Sequence, residues 1–142
     1  MPLAIRPAAD SDAEAVAHLM TQLGYPQDAA AAGRRLRAMA ESPSHAVLLA
    51  VDGGEVLGCI HVFGALRLES DFAEIGALVV DEAARGRKTG RLLVDAAVAW
   101  AAAAGWPQLR VRCNVVRTDA HRFYETAGFA RSKSQHVFTR PL

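Results

Sequence analysis

The chain has 142 residues, 51% hydrophobic and 22% charged, which is enough apolar material for one self-sufficient core and too much for a disordered segment. Sixteen Lys and Arg against fifteen Asp and Glu leave a formal charge of +1, so neither a nucleic-acid nor a membrane partner is expected and any anion site must be local. Cys59 and Cys113 stand in apolar runs without CxxC spacing and read as buried thiols; with no leader pattern and no run near the roughly 20 residues of a membrane span, one cytoplasmic domain over residues 1–142 is expected.

Leu3 to Arg6 is a short strand candidate. Ser11-Asp12-Ala13-Glu14 reads as a capping box that starts a helix at Ser11, with Val16, Leu19, Met20 and Leu23 on its apolar face and Gly24 and Pro26 as its stop. Asp28 to Glu41 is a second helix, with Arg34, Arg35 and Arg37 largely on its wet side. His45 to Val51 and Glu55 to Phe63 are β-rich runs joined by the tight-turn signal Asp52-Gly53-Gly54, which makes a hairpin. After the polar stretch Arg67 to Asp71, the run Glu74 to Val80 reads as a strand buried on both faces. A loop over Asp81 to Thr89 leads to a helix from about Gly90 to Ala104. Gln108 to Asn114 is the following strand, Asp119 to Ala127 a short helix closed by Gly128, and Arg131 to Thr139 supplies the last strands. The order βααβββαβαβ implies an α/β domain with a mixed central sheet, about four helices and a right-handed βαβ crossover over Glu74 to Asn114.

The strongest local signal is Arg85-Gly86-Arg87-Lys88-Thr89-Gly90-Arg91, set between a buried strand and the first turn of a helix. A helix start offers backbone N–H groups without internal partners, and glycines let a phosphate approach the backbone closely. A Walker A loop ending at Lys88-Thr89 would need Gly at 87 and 82, where Arg87 and Glu82 stand. The dinucleotide pattern GxGxxG fails as well, since Gly86 and Gly90 have no third glycine in register. A helix start with ordinary solvated arginines is the plainer alternative.

Ile75 to Val80, Arg85 to Gly90 and the following helix are similar, in order and spacing, to the strand, Arg/Gln-x-x-Gly-x-Gly/Ala loop and helix of the GNAT superfamily of N-acetyltransferases. Asn114 and Phe123-Tyr124-Glu125-Thr126-Ala127-Gly128-Phe129 resemble that superfamily's second signature. Within the superfamily, the stretch Asn114 to Tyr124 is most similar to aminoalkylphosphonate N-acetyltransferases. The resemblance implies a splayed central strand, acetyl-CoA as cosubstrate with its pyrophosphate on Arg85 to Arg91, and pantetheine along Leu78, Val79 and Val80. It departs at one position, where Lys88 replaces the loop's middle glycine and must point away from the pyrophosphate or across it.

An aliphatic amine has a pKa of about 10.4, so roughly one molecule in a thousand is nucleophilic at neutral pH and a base is needed. Glu74, the acidic residue within the central strand, is the candidate general base, through water; a solvated strand end is the alternative, and Asp71 and Glu69 are the substitutes. Tyr124 lies on the short helix in a stripe with Ala120, Phe123 and Ala127 that would suit a core aromatic. The resemblance implies instead that it protonates the leaving thiolate. The backbone near Val79 would supply an oxyanion donor. Asn114 is either a polar contact to pantetheine or pyrophosphate or ordinary turn chemistry. His121 lacks a carboxylate orienter, and His18, His45, His61 and His136 show no ligand spacing, so no metal site is expected. Trp100 and Trp106 read as packing residues.

The acceptor is left open among aminoalkylphosphonates, polyamines, aminoglycosides, amino acids and protein amines, with Arg67, Glu69, Asp71 and the Gly24 to Gln27 turn at its rim. A non-catalytic acyl-CoA sensor is the rival function, and a homodimer is left open.

Overall fold

The computed structural model describes residues 3–142. Their contacts gather into two compact units, one ending at Val111 and one spanning Arg112–Leu142. The first unit is a five-stranded mixed sheet in the order β1 to β5: β1 Ala4–Pro7, β2 His45–Asp52, β3 Glu55–Leu66, β4 Asp71–Val80 and β5 Leu109–Val111. The first four strands pair antiparallel, and β5 joins β4 in parallel after the crossover helix α3, Thr89–Ala103. The hairpin turn between β2 and β3 is Gly53-Gly54, both at positive φ (64° and 139°), where a side chain would be strained.

Helices α1 (Ala13–Leu23) and α2 (Ala29–Ala40) present Val16, Ala17, Leu19, Ala32 and Leu36 to one face of the sheet, against Leu49, Cys59 and Val79. Each such Val or Leu contributes about 1.5–3 kcal/mol when fully buried. On the other face α3 buries Leu93, Val94 and Ala97. It comes close enough that a Cβ at Gly58 would stand 3.0 Å from Leu93 and 3.4 Å from Thr89. Trp106 packs as its sequence context suggests, with its indole lying directly on the backbone of Gly64.

Helix α2 begins as read, with the Asp28 carboxylate accepting from the Ala31 N–H at 2.8 Å. The start of α1 differs. The capping box at Ser11 does not form, and a 3₁₀ turn over Asp10–Asp12 precedes the helix. The physical reason is Asp12, whose carboxylate takes the Ala9 N–H at 2.7 Å and both terminal nitrogens of Arg6 at 2.9 Å. Its acidity is strengthened first by those Arg6 bonds, with burial opposing. Gly24 ends α1 at φ 103°, as expected of a left-handed cap.

Strand β4 starts at Asp71, three residues before Glu74, while β5 stops at Val111, three residues before Asn114. In the second unit α4 spans Thr118–Thr126, and Gly128 follows it at φ 100°. The strands expected over Arg131 to Thr139 are absent from the described residues. That run is mostly polar, and its two adjacent apolar residues, Val137 and Phe138, are 74% and 93% exposed. A strand needs both a partner ladder and alternation, and this segment has neither. Cys113 is half-buried rather than buried, and both thiols are free.

Candidate active site

The site begins with a break in strand pairing. β5 accompanies β4 only from Ala73 to Ile75. At the same point the β3–β4 register slips, so that Val62 faces Ile75 but His61 faces Ala77 and Gly76 is the extra residue of a β-bulge. From Gly76 to Val80 the edge of β4 turned away from β3 has no strand beside it in the first unit. Leu78, Val79 and Val80 lie along this edge, so an extended, amide-bearing ligand can meet backbone donors and acceptors there.

The same strand runs into the anion cradle. The Asp81 N–H is fixed on the Leu57 carbonyl at 2.8 Å, the Glu82 N–H donates to Gln22 at 3.1 Å, and a 3₁₀ turn over Glu82–Ala84 leads to the glycine loop. Gly86 adopts φ 89° with no atom within 4 Å of the place a Cβ would take. Thr89 opens α3 at 2% exposure, and its hydroxyl has no hydrogen-bond partner among the described residues. A buried polar atom without a partner, beside the N–H groups of a fifteen-residue helix, fits a ligand that brings its own oxygens, as a pyrophosphate does.

The cations of the loop are divided. Arg87 is drawn off to Asp52 at the hairpin turn (2.9 Å), and Arg91 pairs with Asp95 one helical turn on (3.1 Å). Arg85 and Lys88 are exposed. Lys88 caps α3 at φ 60° and ψ 19°, and it is the one non-glycine residue at positive φ among the described residues. The loop thus keeps a glycine-type backbone where the side chain is lysine, at a cost of about 1 kcal/mol or more. Lys88→Gly is expected to raise stability by about 0.5–1 kcal/mol, seen as a Tm higher by roughly 2–4 °C in thermal unfolding. A lower Tm would mean that the lysine side chain repays its strained backbone.

Glu74 is no solvated strand end. It is 8% exposed and accepts a 2.7 Å hydrogen bond from Arg110 Nε across the β4–β5 pair. The same guanidinium lies 3.9 Å over the ring of Phe72, and Arg67 stacks on that ring at 5.0 Å. Arg67 also approaches Glu69 at 3.7 Å, so the rim charges partly neutralise one another.

In the second unit, the Asn114 side-chain oxygen accepts from Val116 N–H at 3.1 Å, and its carbonyl bonds Arg117 N–H and His121 Nε2. The turn chemistry is therefore present, with the side-chain amide nitrogen still available for a ligand. His121 serves that turn. Tyr124 packs edge-on against Phe123 and Phe129, and burial, with a smaller push from Cys113, raises its phenol to about 12.

Sequence reasoning missed Arg110, Asp52 and Gln22 as anchors, since each acts across the sheet or between distant segments. It also treated His45 and His61 as scattered, yet His45 Nδ1 and His61 Nε2 are 2.9 Å apart. No group of His, Cys, Asp and Glu that could hold a metal occurs among the described residues, and no helix there is long and apolar enough to cross a membrane.

The sequence model of the acetyltransferase (GNAT) family matches residues 13–129. An aminoalkylphosphonate N-acetyltransferase of Salmonella typhimurium is 38% identical over 96 residues, which cover 66% of this chain and 61% of that protein. The matched region thus spans about three fifths of that relative's length. Among solved structures, glucosamine-6-phosphate N-acetyltransferase from Arabidopsis thaliana superposes with a TM-score of 0.83 at 19% identity, covering 98% of this chain and 99% of that one. The AAC(6')-Iy enzyme bound to the bisubstrate analogue CoA-S-monomethyl-acetylneamine gives a TM-score of 0.88 at 15% identity, with both chains fully covered. At such identities these two likenesses speak for the fold alone.

Proposed function

The chain belongs to the GNAT family of acetyltransferases, and on that premise we propose that it is a cytoplasmic enzyme, one catalytic domain over residues 1–142, that moves an acetyl group directly from acetyl-CoA to a primary amine of a small molecule. The observation that carries this reading is the parting of β4 from β5 after Ile75, on the strand that ends at the glycine loop. Leu78, Val79 and Val80 then hold pantetheine by their backbone, and Arg85, Gly86, Arg87, Lys88, Thr89, Gly90 and Arg91 enclose the pyrophosphate. Asn114 adds an amide contact to the same ligand.

Acetyl-CoA supplies an activated carbonyl, so the residues have to position the amine, take its protons and protonate the leaving sulfur. Glu74, fixed in orientation by Arg110, takes the first proton through water, and Tyr124 gives a proton to the thiolate. The phenol is suited to that task in one respect, because its raised pKa keeps the proton on oxygen at every physiological pH. Because β5 leaves β4 after Ile75, backbone N–H groups near Val79 that point away from β3 have no strand partner in the first unit, which suits an oxyanion donor.

A thiol-release assay with acetyl-CoA and a panel of aminoalkylphosphonates, polyamines, aminoglycosides, amino acids and lysine peptides tests the reading. The expected result is amine-dependent release of coenzyme A with at least one small-molecule amine, at least roughly 10²-fold above the amine-free rate. Tight acetyl-CoA binding with no release by any amine would make the protein a sensor of acyl-CoA. Release by the peptides alone would assign a protein acceptor.

A further inference from the structure

Acetylation of an ammonium removes two protons from nitrogen, one before attack and one as the C–N bond forms. One of them is matched by the proton that ends on the departing sulfur, and the other goes to water. Glu74 is a single buried carboxylate already engaged by Arg110. A second acceptor close to the nitrogen would spare Glu74 both transfers, and the cross-strand register places one on the same face of the sheet.

Phe63 stands directly opposite Glu74, and His61 follows on that face, opposite Ala77 beside the bulge. A Cβ at Gly76 would lie 2.7 Å from His61 Nδ1 and 3.2 Å from the Phe63 ring, so this nitrogen rests on the bulged backbone where only a glycine leaves room. No hydrogen bond to His61 Nδ1 is found among the described residues, whereas Nε2 is 2.9 Å from His45 Nδ1. Phe63 stacks on both imidazoles, with ring centroids 5.3 and 5.5 Å away, and holds the three rings as a block.

We propose that His61 is a second catalytic base, which receives the acceptor amine at the Gly76 bulge through Nδ1, while His45 is the positioning residue that fixes its tautomer and carries the proton onward. The inference rests on the acetyl-transfer reading above. With His61 Nε2–H donating to His45 Nδ1, the Nδ1 lone pair faces the bulge and accepts a hydrogen bond from the amine. As nitrogen bonds to the thioester carbon its two remaining protons become more acidic; one passes to Nδ1 while the other stays as the amide N–H, and Nε2 releases its own proton to His45. The C–S bond then breaks, and sulfur takes its proton from the general acid. His45 is only half-buried and lines a cavity of about 320 Å³, so the relay ends on a ring that solvent reaches.

Burial, with the neighbouring His45, lowers His61 to about 4, so the ring stays uncharged when a cationic amine arrives and does not repel it. The charged and titratable groups that share this face are Arg6 on β1 with its partner Asp12, His45 on β2, the buried Cys59 on β3, and Glu74 with Arg110 on β4 and β5.

Two amines separate the two bases. A strongly basic primary amine needs both protons removed, whereas a weakly basic one, uncharged at the assay pH, needs only the second. His61→Phe keeps the ring stack and is expected to lower kcat by about 10²-fold with both amines, whereas Glu74→Gln lowers it only with the strongly basic one. Calorimetric affinity for acetyl-CoA stays unchanged in His61→Phe. Long-range ¹H–¹⁵N NMR of the parent protein is expected to show the His61 proton on Nε2, and His45→Phe to shift it toward the other tautomer. A His61→Phe kcat within threefold of the parent on the weakly basic amine would overturn the proposal, and so would a parent tautomer with the proton on Nδ1. If the parent releases no thiol with any amine, the acetyl-transfer reading fails, and the relay falls with it as a part of catalysis even if the tautomer is as expected.

Discussion

Replacing Tyr124 by Phe is expected to lower kcat by a factor on the order of 10² to 10⁴ while leaving acetyl-CoA affinity and the unfolding midpoint close to those of the parent. The ring stays, so its edge-on contacts with Phe123 and Phe129 are kept, and only the proton donor is lost. The pH dependence adds a second arm. A phenol raised to about 12 does not ionise near 10, the usual tyrosine range, so the parent's kcat shows no alkaline fall through that range on account of Tyr124. The measurement is single-turnover acetyl transfer under conditions where chemistry limits the rate. A Phe variant within threefold of the parent would return Tyr124 to a packing role and make water the proton source.

The second large effect is expected at the cradle. Gly90 lies in the first turn of α3, where an aspartate favours the helix itself by about 0.3–1 kcal/mol through its dipole. Gly90→Asp therefore preserves the fold, and circular dichroism is expected to show it intact. Against a bound pyrophosphate the new carboxylate is a like charge at roughly 5 Å, a penalty of about 3 kcal/mol at an effective dielectric near 20, equivalent to a Kd weaker by about 10²-fold. Calorimetry with acetyl-CoA reads it directly. Unchanged affinity would remove the pyrophosphate from this loop.

The elements legible in the sequence were those whose cause is local. The Asp28 cap, the Gly53-Gly54 turn, the left-handed Gly24 and the strand–loop–helix from Glu74 onward each depend on residues a few positions apart. Pairings that depend on register were not legible. Continuing the Asp52–Glu55 pairing without a break would set His45 opposite Val62, and so on the face away from His61. The irregularity between Ala50 and Val51 moves the register by one residue, sets His45 opposite Phe63 and brings the two imidazoles together. For the same reason the Arg87–Asp52 and Glu74–Arg110 pairs, 35 and 36 residues apart, leave no trace in spacing. The short β5 shows the converse error, because alternation runs over Gln108 to Asn114 whereas the pairing stops at Val111, although β4 itself continues to Val80.

An unpaired strand edge inside a folded protein invites trouble as well as ligands, since a second copy of the chain can add its own strand and begin a growing ribbon. The bulge at Gly76 lies at the start of the open stretch of β4 and sharpens the twist there. A flat, rigid strand from a neighbour meets a bent template, while a flexible ligand of single-chain width can follow the curve. One inserted residue at the head of an open edge thus discourages molecules of the protein from zipping together.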